Sequence, residues 1–240
     1  MTSILIKNLT LDFPIYSHHS RSFKSSVINK VLGGLIEDKT KSGLLIKALK
    51  NISFDIFKGD RVGVIGHNGS GKTSLLRVIT GVYKNHSGSM QLTGSIASLI
   101  DITLGMDPEA TGYENIRMRA VLMGMKLSDV KKIENEIAEF SELGEYLHFP
   151  LRSYSTGMQM RLSFAISTTV KAQILIMDEW LSVGDEQFQN KAEKRLGELI
   201  TEESILILAS HSKELIKKTC NRVIKLEHGQ LEEISIDSLC

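Results

Sequence analysis

The chain has 240 residues, of which 42% are hydrophobic and 24% charged, and its 29 basic and 28 acidic side chains leave a formal net charge of +1 at pH 7. This balance excludes the strongly basic composition of proteins that coat nucleic acids, and no apolar run approaches the roughly 18–20 residues of a membrane-spanning helix. The two cysteines, Cys220 and Cys240, are too few for a disulfide framework or a zinc finger. The length fits one domain, so we expect a single domain over residues 1–240.

The first part of the chain predicts two strands of an antiparallel sheet. Residues Ser3–Phe13 and Ala48–Phe57 are both strand-like. In the second segment, Ile52, Phe54 and Ile56 alternate with polar neighbours, which is typical of a strand with one face buried.

Between these two strands, residues 17–47 form a segment that is longer than a hairpin requires. Seven Lys and Arg residues between Ser17 and Lys50 stand against Glu37 and Asp38. The apolar residues fall on one helical stripe: Phe23, Val27, Ile28, Val31, Leu32, Leu35 and Ile36. The pattern predicts a basic amphipathic helix that ends at Gly33-Gly34 or soon afterwards. This helix either lies at an anionic membrane surface or covers the sheet of its own domain.

A glycine-rich loop follows the short apolar strand predicted at Arg61–Ile65. Residues Gly66–Thr73 read Gly-His-Asn-Gly-Ser-Gly-Lys-Thr and fit the phosphate-loop pattern between a strand and a helix. We expect Lys72 to reach the β- and γ-phosphates and Thr73 to ligate Mg²⁺, while backbone N–H groups wrap the phosphates. The predicted ATP-binding residues here are Gly66, His67, Asn68, Gly69, Ser70, Gly71, Lys72, Thr73 and Ser74.

The rest of the chain alternates between sheet and helix signals. Residues 87–101 indicate more sheet, and the pattern turns helical at about 111–167, within a helical subdomain of about 102–167. Two buried strands are predicted at Ile174–Met177 and Ile205–Ala209, with a polar stretch of helix length between them. The alternation predicts an α/β fold with a mixed sheet core, a small antiparallel β lobe and a helical lobe.

Two carboxylates end the first of these buried strands. Asp178 and Glu179 follow four apolar residues, which suggests a strand that delivers both carboxylates to the end of a sheet. We expect Asp178 to hold Mg²⁺ through water and Glu179 to polarise an attacking water molecule. The alternative is a strand edge that simply meets solvent.

The segment Tyr154–Arg161 precedes an apolar helix. Ser155 is the expected N-cap, and Gly157 admits a close approach of another group to the backbone. Such a helix start can bind an anion. The alternative is an ordinary capped helix.

These motifs occur in the order that is typical of ABC-type ATPases: Gly66–Thr73, Ser155–Gly157, Asp178-Glu179, Ser182–Asp185 and His211. Over nearly its whole length the chain resembles the nucleotide-binding subunit of an ABC transporter. The resemblance implies that two copies pair head to tail, so that Ser155, Thr156 and Gly157 of one copy cover the ATP in the phosphate loop of the other. It also implies ATP and Mg²⁺ as cofactors, Glu179 as the residue that orients water, and a contact from His211 to the γ-phosphate.

Departures from the common family pattern narrow the subfamily. Thr156 stands at a usual glycine of the signature loop. Asp101 stands where most members carry a glutamine that couples ATP to the membrane partner, and we count Asp101 with Thr73 and Asp178 as a candidate metal ligand. In both departures the chain resembles exporters of bacterial polysaccharides.

The opening residues 9–16 resemble the O-antigen exporters most closely. In those proteins an aromatic residue after the first strand stacks on adenine. Phe13 matches that position best and Tyr16 is second. The alternative for each ring is packing in the core.

The resemblance therefore implies an ATPase that drives export of a lipid-linked polysaccharide, O-antigen first, with capsular polysaccharide or teichoic acid as alternatives. It implies a homodimer that binds two copies of a transmembrane permease at the cytoplasmic face of the inner membrane, without nucleic acid. Two other classes compete with this interpretation. One is a soluble ABC ATPase without a transport role; the other is a small-molecule kinase, which would lack the Ser155–Gly157 and His211 elements.

Overall fold

The computed structural model describes residues 2–15, 36–40, 43–170, 172–179 and 185–239. The chain forms two compact units, each built from more than one segment of the sequence. The first unit lies within Met1–Gly94, Ile176–Glu179 and Glu202–Cys240, and the second within Ser95–Leu175 and Trp180–Thr201. The described part of the chain contains no helix that is both long enough and apolar enough to cross a membrane.

The first unit contains a four-stranded antiparallel sheet with the order β2-β3-β1-β5. Its strands are β1 (Ser3–Ile15), β2 (Ile36–Thr40), β3 (Gly43–Phe57) and β5 (Ser87–Thr93). Ile52 and Ile56 of β3 are buried while their neighbours Asn51, Ser53 and Asp55 are exposed, which confirms the predicted one-sided strand.

The sequence underestimated the length of these strands. β1 continues two residues past Phe13, and β3 begins at Gly43 rather than Ala48. Residues 36–40 and 43–47, at the end of the long segment 17–47, are paired as strands. Residues 16–35, with Tyr16 and all but the last residue of the stripe from Phe23 to Ile36, lie outside the described residues, so the basic helix stays a prediction.

A mixed sheet supplies the second layer of strands in the first unit. Its order is β10-β9-β4-β8-β7, with β4 parallel to β8 and β9 and with β9 antiparallel to β10. These strands are β4 (Arg61–Ile65), β7 (Ile174–Asp178), β8 (Ile205–Ala209), β9 (Arg222–Glu227) and β10 (Gln230–Ile234). The sheet confirms the predicted mixed α/β core.

Two helices of the first unit are α1 (Lys72–Ile79), which follows β4, and α6 (Lys213–Thr219), which follows β8. Gly63 in β4 allows α6 to pack closely, because a Cβ at this position would lie 2.6 Å from Cγ2 of Ile216. Any larger residue would push the helix away from the sheet.

The second unit is mainly helical. Besides the short strand β6 (Ile96–Leu99), it contains α2 (Gly112–Leu122), α3 (Leu127–Ser141), α4 (Thr156–Ser167) and α5 (Glu186–Leu199). The first two residues of β7 are counted here, and the N–H groups of Gln173 and Ile174 donate to the carbonyl of Ser95 at 3.1 and 3.0 Å. Ile116, Val130, Leu147 and Leu162 are part of the core. Helices α2 to α4 fall inside the stretch that was predicted to be helical.

Candidate active site

The glycines of the loop between β4 and α1 allow its backbone to approach two other segments. Gly66, Gly69 and Gly71 have φ angles of 155°, 79° and 110°, values that L side chains rarely adopt. A Cβ at Gly66 would lie 2.3 Å from the carbonyl oxygen of Leu226, and one at Gly71 would lie 2.6 Å from that of Ala48. Gly69, by contrast, would meet nothing within 4 Å. The loop is therefore held against β3 and β9 while Gly69 lies on its open side.

The N-terminus of α1 provides donors for an anion. In the described part of the chain no side chain caps this helix, which begins at Lys72 after a left-handed Gly71. The first N–H groups of a helix have no partner inside it and carry the positive end of the helix dipole. Ser70 is fully buried, and its hydroxyl has no hydrogen-bond partner among the described residues. These features fit a bound phosphate chain.

Lys72 holds a positive charge inside this loop. Its side chain is 8% exposed, and Nζ donates to the carbonyl oxygens of Gly66 at 2.8 Å and His67 at 3.2 Å. Nζ also lies 3.4 Å from Nε2 of His211. Burial lowers the pKa of Lys72, and the nearby carboxylates of Asp178 and Glu179 partly oppose that shift. The sheet thus brings the predicted phosphate-binding lysine together with His211.

Thr73 and Asp178 place two oxygen atoms side by side. Thr73 Oγ1 donates to Asp178 Oδ2 at 2.6 Å, which joins the first turn of α1 to the end of β7. Hydroxyl and carboxylate oxygens are ligands that Mg²⁺ prefers, directly or through its water shell. The pair therefore fits the predicted metal site.

Glu179 has an unusual backbone conformation at the end of β7. Its φ is +68°, and its N–H donates to the carbonyl of Ala209 at 2.8 Å. The hydroxyl of Ser210 donates to Oε2 at 3.0 Å, and the N–H of His211 donates to Oε1 at 3.1 Å. The carboxylate remains 49% exposed. A non-glycine residue in the left-handed region is costly and is common at functional sites, and here it orients a partly exposed carboxylate beside Lys72.

The contact between Ser210 and Glu179 was not predicted from the sequence. The hydroxyl of Ser210 fixes one oxygen of Glu179, although the sequence marks this serine only as the residue after β8. The distance along the chain between the two residues leaves no local pattern that would have paired them.

Phe13 lies in an aromatic pair rather than alone. Its ring meets that of Tyr83 edge to face, with centroids 5.2 Å apart and an interplanar angle of 75°. Nη1 of Arg77 donates to the hydroxyl of Tyr83 at 3.3 Å. Both aromatic rings are partly exposed. Tyr83 was not predicted as a site residue; its only sequence signal is its position just after the end of α1.

The second unit contains the start of α4. Ser155 is the N-cap, as predicted, and its hydroxyl oxygen accepts from the N–H of Met158 at 3.2 Å. Thr156 and Gly157 form the first turn beside a cavity of about 590 Å³. Nη2 of Arg161 donates to Oδ2 of Asp185 at 2.6 Å in the same cavity.

Asp185 is the part of the predicted 182–185 motif that the structure describes. It caps α5 by accepting from the N–H of Phe188 at 3.0 Å. This hydrogen bond, followed by the charge of Arg161, lowers the pKa of the Asp185 carboxyl. The carboxylate is therefore ionised at neutral pH and pairs with Arg161.

The first unit brings together most of the predicted site: the loop Gly66–Ser74, Asp178, Glu179 and His211. Asp101 and Ser155–Gly157 belong to the second unit. The metal contact of Asp101, the nucleotide contact of Ser155–Gly157 and the stacking of Phe13 on adenine remain predictions.

Comparison with known proteins gives consistent results. A family model described as ABC transporter matches residues 49–182. The O-antigen export system ATP-binding protein RfbE of Yersinia enterocolitica is 45% identical over 239 residues, which cover 100% of both chains. The teichoic acids export ATP-binding protein TagH of Listeria innocua is 36% identical over 231 residues, which cover 96% of this chain and 66% of that protein.

One solved structure is an ATP-binding cassette in a dimeric, post-hydrolysis state bound to ADP and Pi. It matches with a TM-score of 0.70 and 18% identity, covering 97% of this chain and 98% of the other. At this identity the match concerns the fold alone, and it confirms the predicted fold class.

Proposed function

The chain belongs to the ABC transporter family of ATP-hydrolysing subunits, and we propose that it drives the export of a lipid-linked bacterial polysaccharide, with O-antigen as the substrate. The observation that carries the proposal is the 45% identity over both full chains to an O-antigen export ATP-binding protein. The 36% identity to a teichoic acid export protein supports the alternative substrate class. The activity is hydrolysis of ATP to ADP and phosphate, coupled to transport.

The residues around Lys72 have separate tasks in this reaction. Lys72 and the N–H groups at the start of α1 bind the phosphate oxygens, and Thr73 and Asp178 hold Mg²⁺. Mg²⁺, when bound, neutralises charge on those oxygens. Glu179 orients the attacking water and accepts its proton, while Ser210 and the N–H of His211 keep the carboxylate in one rotamer. His211 Nε2, beside Nζ of Lys72, contacts the terminal phosphate.

The active form in this proposal is a head-to-tail homodimer. Ser155, Thr156 and Gly157 lie at a helix start beside an open cavity, which suits an anion brought by another molecule. A two-fold arrangement gives both copies the same contact and closes the assembly. Under this proposal each ATP is completed by the signature loop of the second copy.

A transmembrane permease, in two copies, is the proposed membrane partner. The second unit exposes an apolar patch formed by Leu104, which is 73% exposed, and by Met118, Val121 and Leu122 on one face of α2. Gly105 abuts this face, since a Cβ there would lie 3.3 Å from Cδ1 of Leu122. We name Leu104, Met118, Val121 and Leu122 the apolar patch. Its exposure supports a protein contact at this surface, at the cytoplasmic face of the inner membrane.

Deletion of the gene in the native host tests the proposed function. We expect lipid-linked polysaccharide to accumulate in the cytoplasm and export to return with the intact gene but not with Glu179→Gln. The chemistry of the accumulated glycan separates O-antigen from capsular polysaccharide and teichoic acid. Normal surface glycan in the deletion strain would contradict the proposal, and would favour an ABC ATPase without a transport role.

A further inference from the structure

Helix α2 carries two buried polar side chains one turn apart, Asn115 and Arg119, which are 0% and 6% exposed. Asn115 Nδ2 donates to the carbonyls of Asp107, Ala110 and Thr111 at 2.9, 3.1 and 2.9 Å, and Oδ1 accepts from the N–H of Asp107 at 2.7 Å. This one side chain fixes the later half of the loop between β6 and α2.

Arg119 fixes the earlier half of the same loop. Its Nη1 donates to the carbonyl of Leu104 at 2.7 Å. The turn is closed on itself by the N–H of Leu104, which donates to the carbonyl of Asp101 at 3.0 Å. The backbone of Leu104 is thus held in one conformation, although its side chain is largely exposed. The part of the apolar patch that lies on the loop is therefore bound to α2.

The other terminal nitrogen of Arg119 binds a different helix. Nη2 donates to Oγ of Ser167 at 3.1 Å, and that hydroxyl donates to the carbonyl of Ser163 at 2.7 Å. Ser167 is the last residue of α4, whose first residue is Thr156. A helix of this length is a rod of about 18 Å. The guanidinium therefore joins the loop under Leu104 to the far end of the helix that begins at the signature loop.

The charge of Arg119 makes this arrangement costly. No carboxylate pairs with the guanidinium in the described part of the chain, and Nε has no hydrogen-bond partner there. Burial lowers the pKa of Arg119 to about 10, so that the side chain is still charged at neutral pH. A buried charge without a counter-ion destabilises a fold relative to an apolar residue of similar size. The guanidinium is held instead by its hydrogen bonds to Leu104 and Ser167, so this costly side chain joins the loop to α4.

We infer that Arg119 is a positioning residue that transmits movement of the Leu104 loop to α4, and so couples the membrane subunit to the signature loop. The inference rests on the proposed function, since it takes the membrane subunit as the partner of the apolar patch. Displacement of Leu104 pulls the guanidinium, which pulls Ser167 at the end of α4. Because helices move as rigid bodies, Ser155–Gly157 shift with it.

The test compares two ATPase rates for each variant, that of the isolated subunit and that of its complex with the co-purified membrane subunit. The complex is placed in vesicles of phosphatidylethanolamine and phosphatidylglycerol. The variants are Arg119→Gln, Arg119→Lys and Ser167→Ala. The matched control is Arg117→Gln, because Arg117 is an exposed arginine on the same helix that binds Glu134 instead.

We expect the ratio of complex to isolated rate to fall roughly 3- to 30-fold in the Arg119 variants, with the isolated rate retained. Lysine keeps the charge but cannot bridge both partners, so Arg119→Lys should be impaired as well. Ser167→Ala removes only the contact with α4 and should lower the ratio even if the Arg119 variants fail to fold. The ratio of Arg117→Gln should match that of the unaltered protein.

An unchanged ratio in Ser167→Ala and in any folded Arg119 variant would overturn the inference. So would an equal loss of both rates, because a purely structural role lowers the rate of the isolated subunit as much as that of the complex. If no membrane subunit co-purifies with the unaltered protein, both the proposed function and the role of Arg119 are contradicted. If the complex forms and the ratio is unchanged in the variants, only the role of Arg119 is contradicted.

Discussion

The two units of the molecule position their polar groups in different ways. In the first unit the chemical groups follow the ends of strands: the phosphate loop after β4, Glu179 after β7 and His211 after β8. In the second unit the buried polar groups Asn115 and Arg119 project from α2 and bind the backbone of the loop that precedes it. The first arrangement concentrates charged side chains around the phosphate loop, and the second joins a loop to two helices.

From this difference we expect catalysis to depend on the first unit and coupling to depend on the second. Groups at strand ends are held by a sheet that hardly deforms, which suits a reaction that depends on exact distances. Groups that bridge a helix and a loop transmit a displacement when either partner moves. Variants in the first unit should therefore change the chemical step or ATP affinity, and variants in the second unit should change coupling or assembly.

Among the variants that test this difference between the units, Glu179→Gln is expected to have the largest effect on ATP turnover. The amide oxygen of glutamine can still accept from the N–H of His211, and its NH2 group can donate to the hydroxyl oxygen of Ser210, but the amide cannot take a proton from water. Turnover should fall by about 10²–10⁴-fold while ATP binding is retained. Steady-state hydrolysis and equilibrium binding of ATP measure the two effects.

The control is Glu214→Gln, which changes an exposed carboxylate in the first turn of α6 and should leave turnover unchanged. Near-normal turnover in Glu179→Gln would remove this residue from its assigned role. The strand-end arrangement would then serve binding rather than hydrolysis.

How much the sequence could predict follows the same division. The phosphate loop was found from its glycine, lysine and threonine pattern, and Asp178 and Glu179 because they follow four apolar residues. The role of His211 came only from the resemblance to ABC-type ATPases. The Ser155 cap was found because capping is local to a few residues. Asn115 and Arg119 gave no such signal, because the sequence does not show that these two polar side chains of α2 turn inward. Ser210 and Tyr83 were missed because their partners, Glu179 and Phe13, are far from them along the chain.

An intermediate effect is expected for the aromatic pair in the first unit. Phe13→Leu should weaken ATP binding about tenfold, because base stacking on a ring contributes roughly 1–3 kcal/mol. Tyr83→Leu should weaken it less, since Tyr83 acts through the ring of Phe13. Tyr83→Phe keeps the ring contact and loses only the hydrogen bond from Arg77. Binding of fluorescent ATP measures each affinity.

Inorganic tripolyphosphate provides the control for the aromatic pair, because it has phosphates but no base. Its affinity should be the same in all three variants. If it fell in parallel with ATP, the rings would support the fold rather than the base, and the bland alternative of core packing would hold for Phe13.

The smallest effect is expected at Ser155, which separates capping from ligand binding in the second unit. Ser155→Ala leaves the N–H of Met158 without its acceptor and should lower the free energy of unfolding by about 1 kcal/mol. Ser155→Asn restores a good cap but places a bulkier side chain beside the cavity. Stability should therefore recover in the asparagine variant, whereas ATPase activity, which needs a second copy to approach this helix start, should stay low. Denaturant unfolding and ATPase assays over a range of protein concentrations separate the two. If activity recovered together with stability, Ser155 would serve only to cap α4 and not to bind a ligand. The two units would then differ in how their polar groups are held, but no ligand-binding role would be left for this helix start.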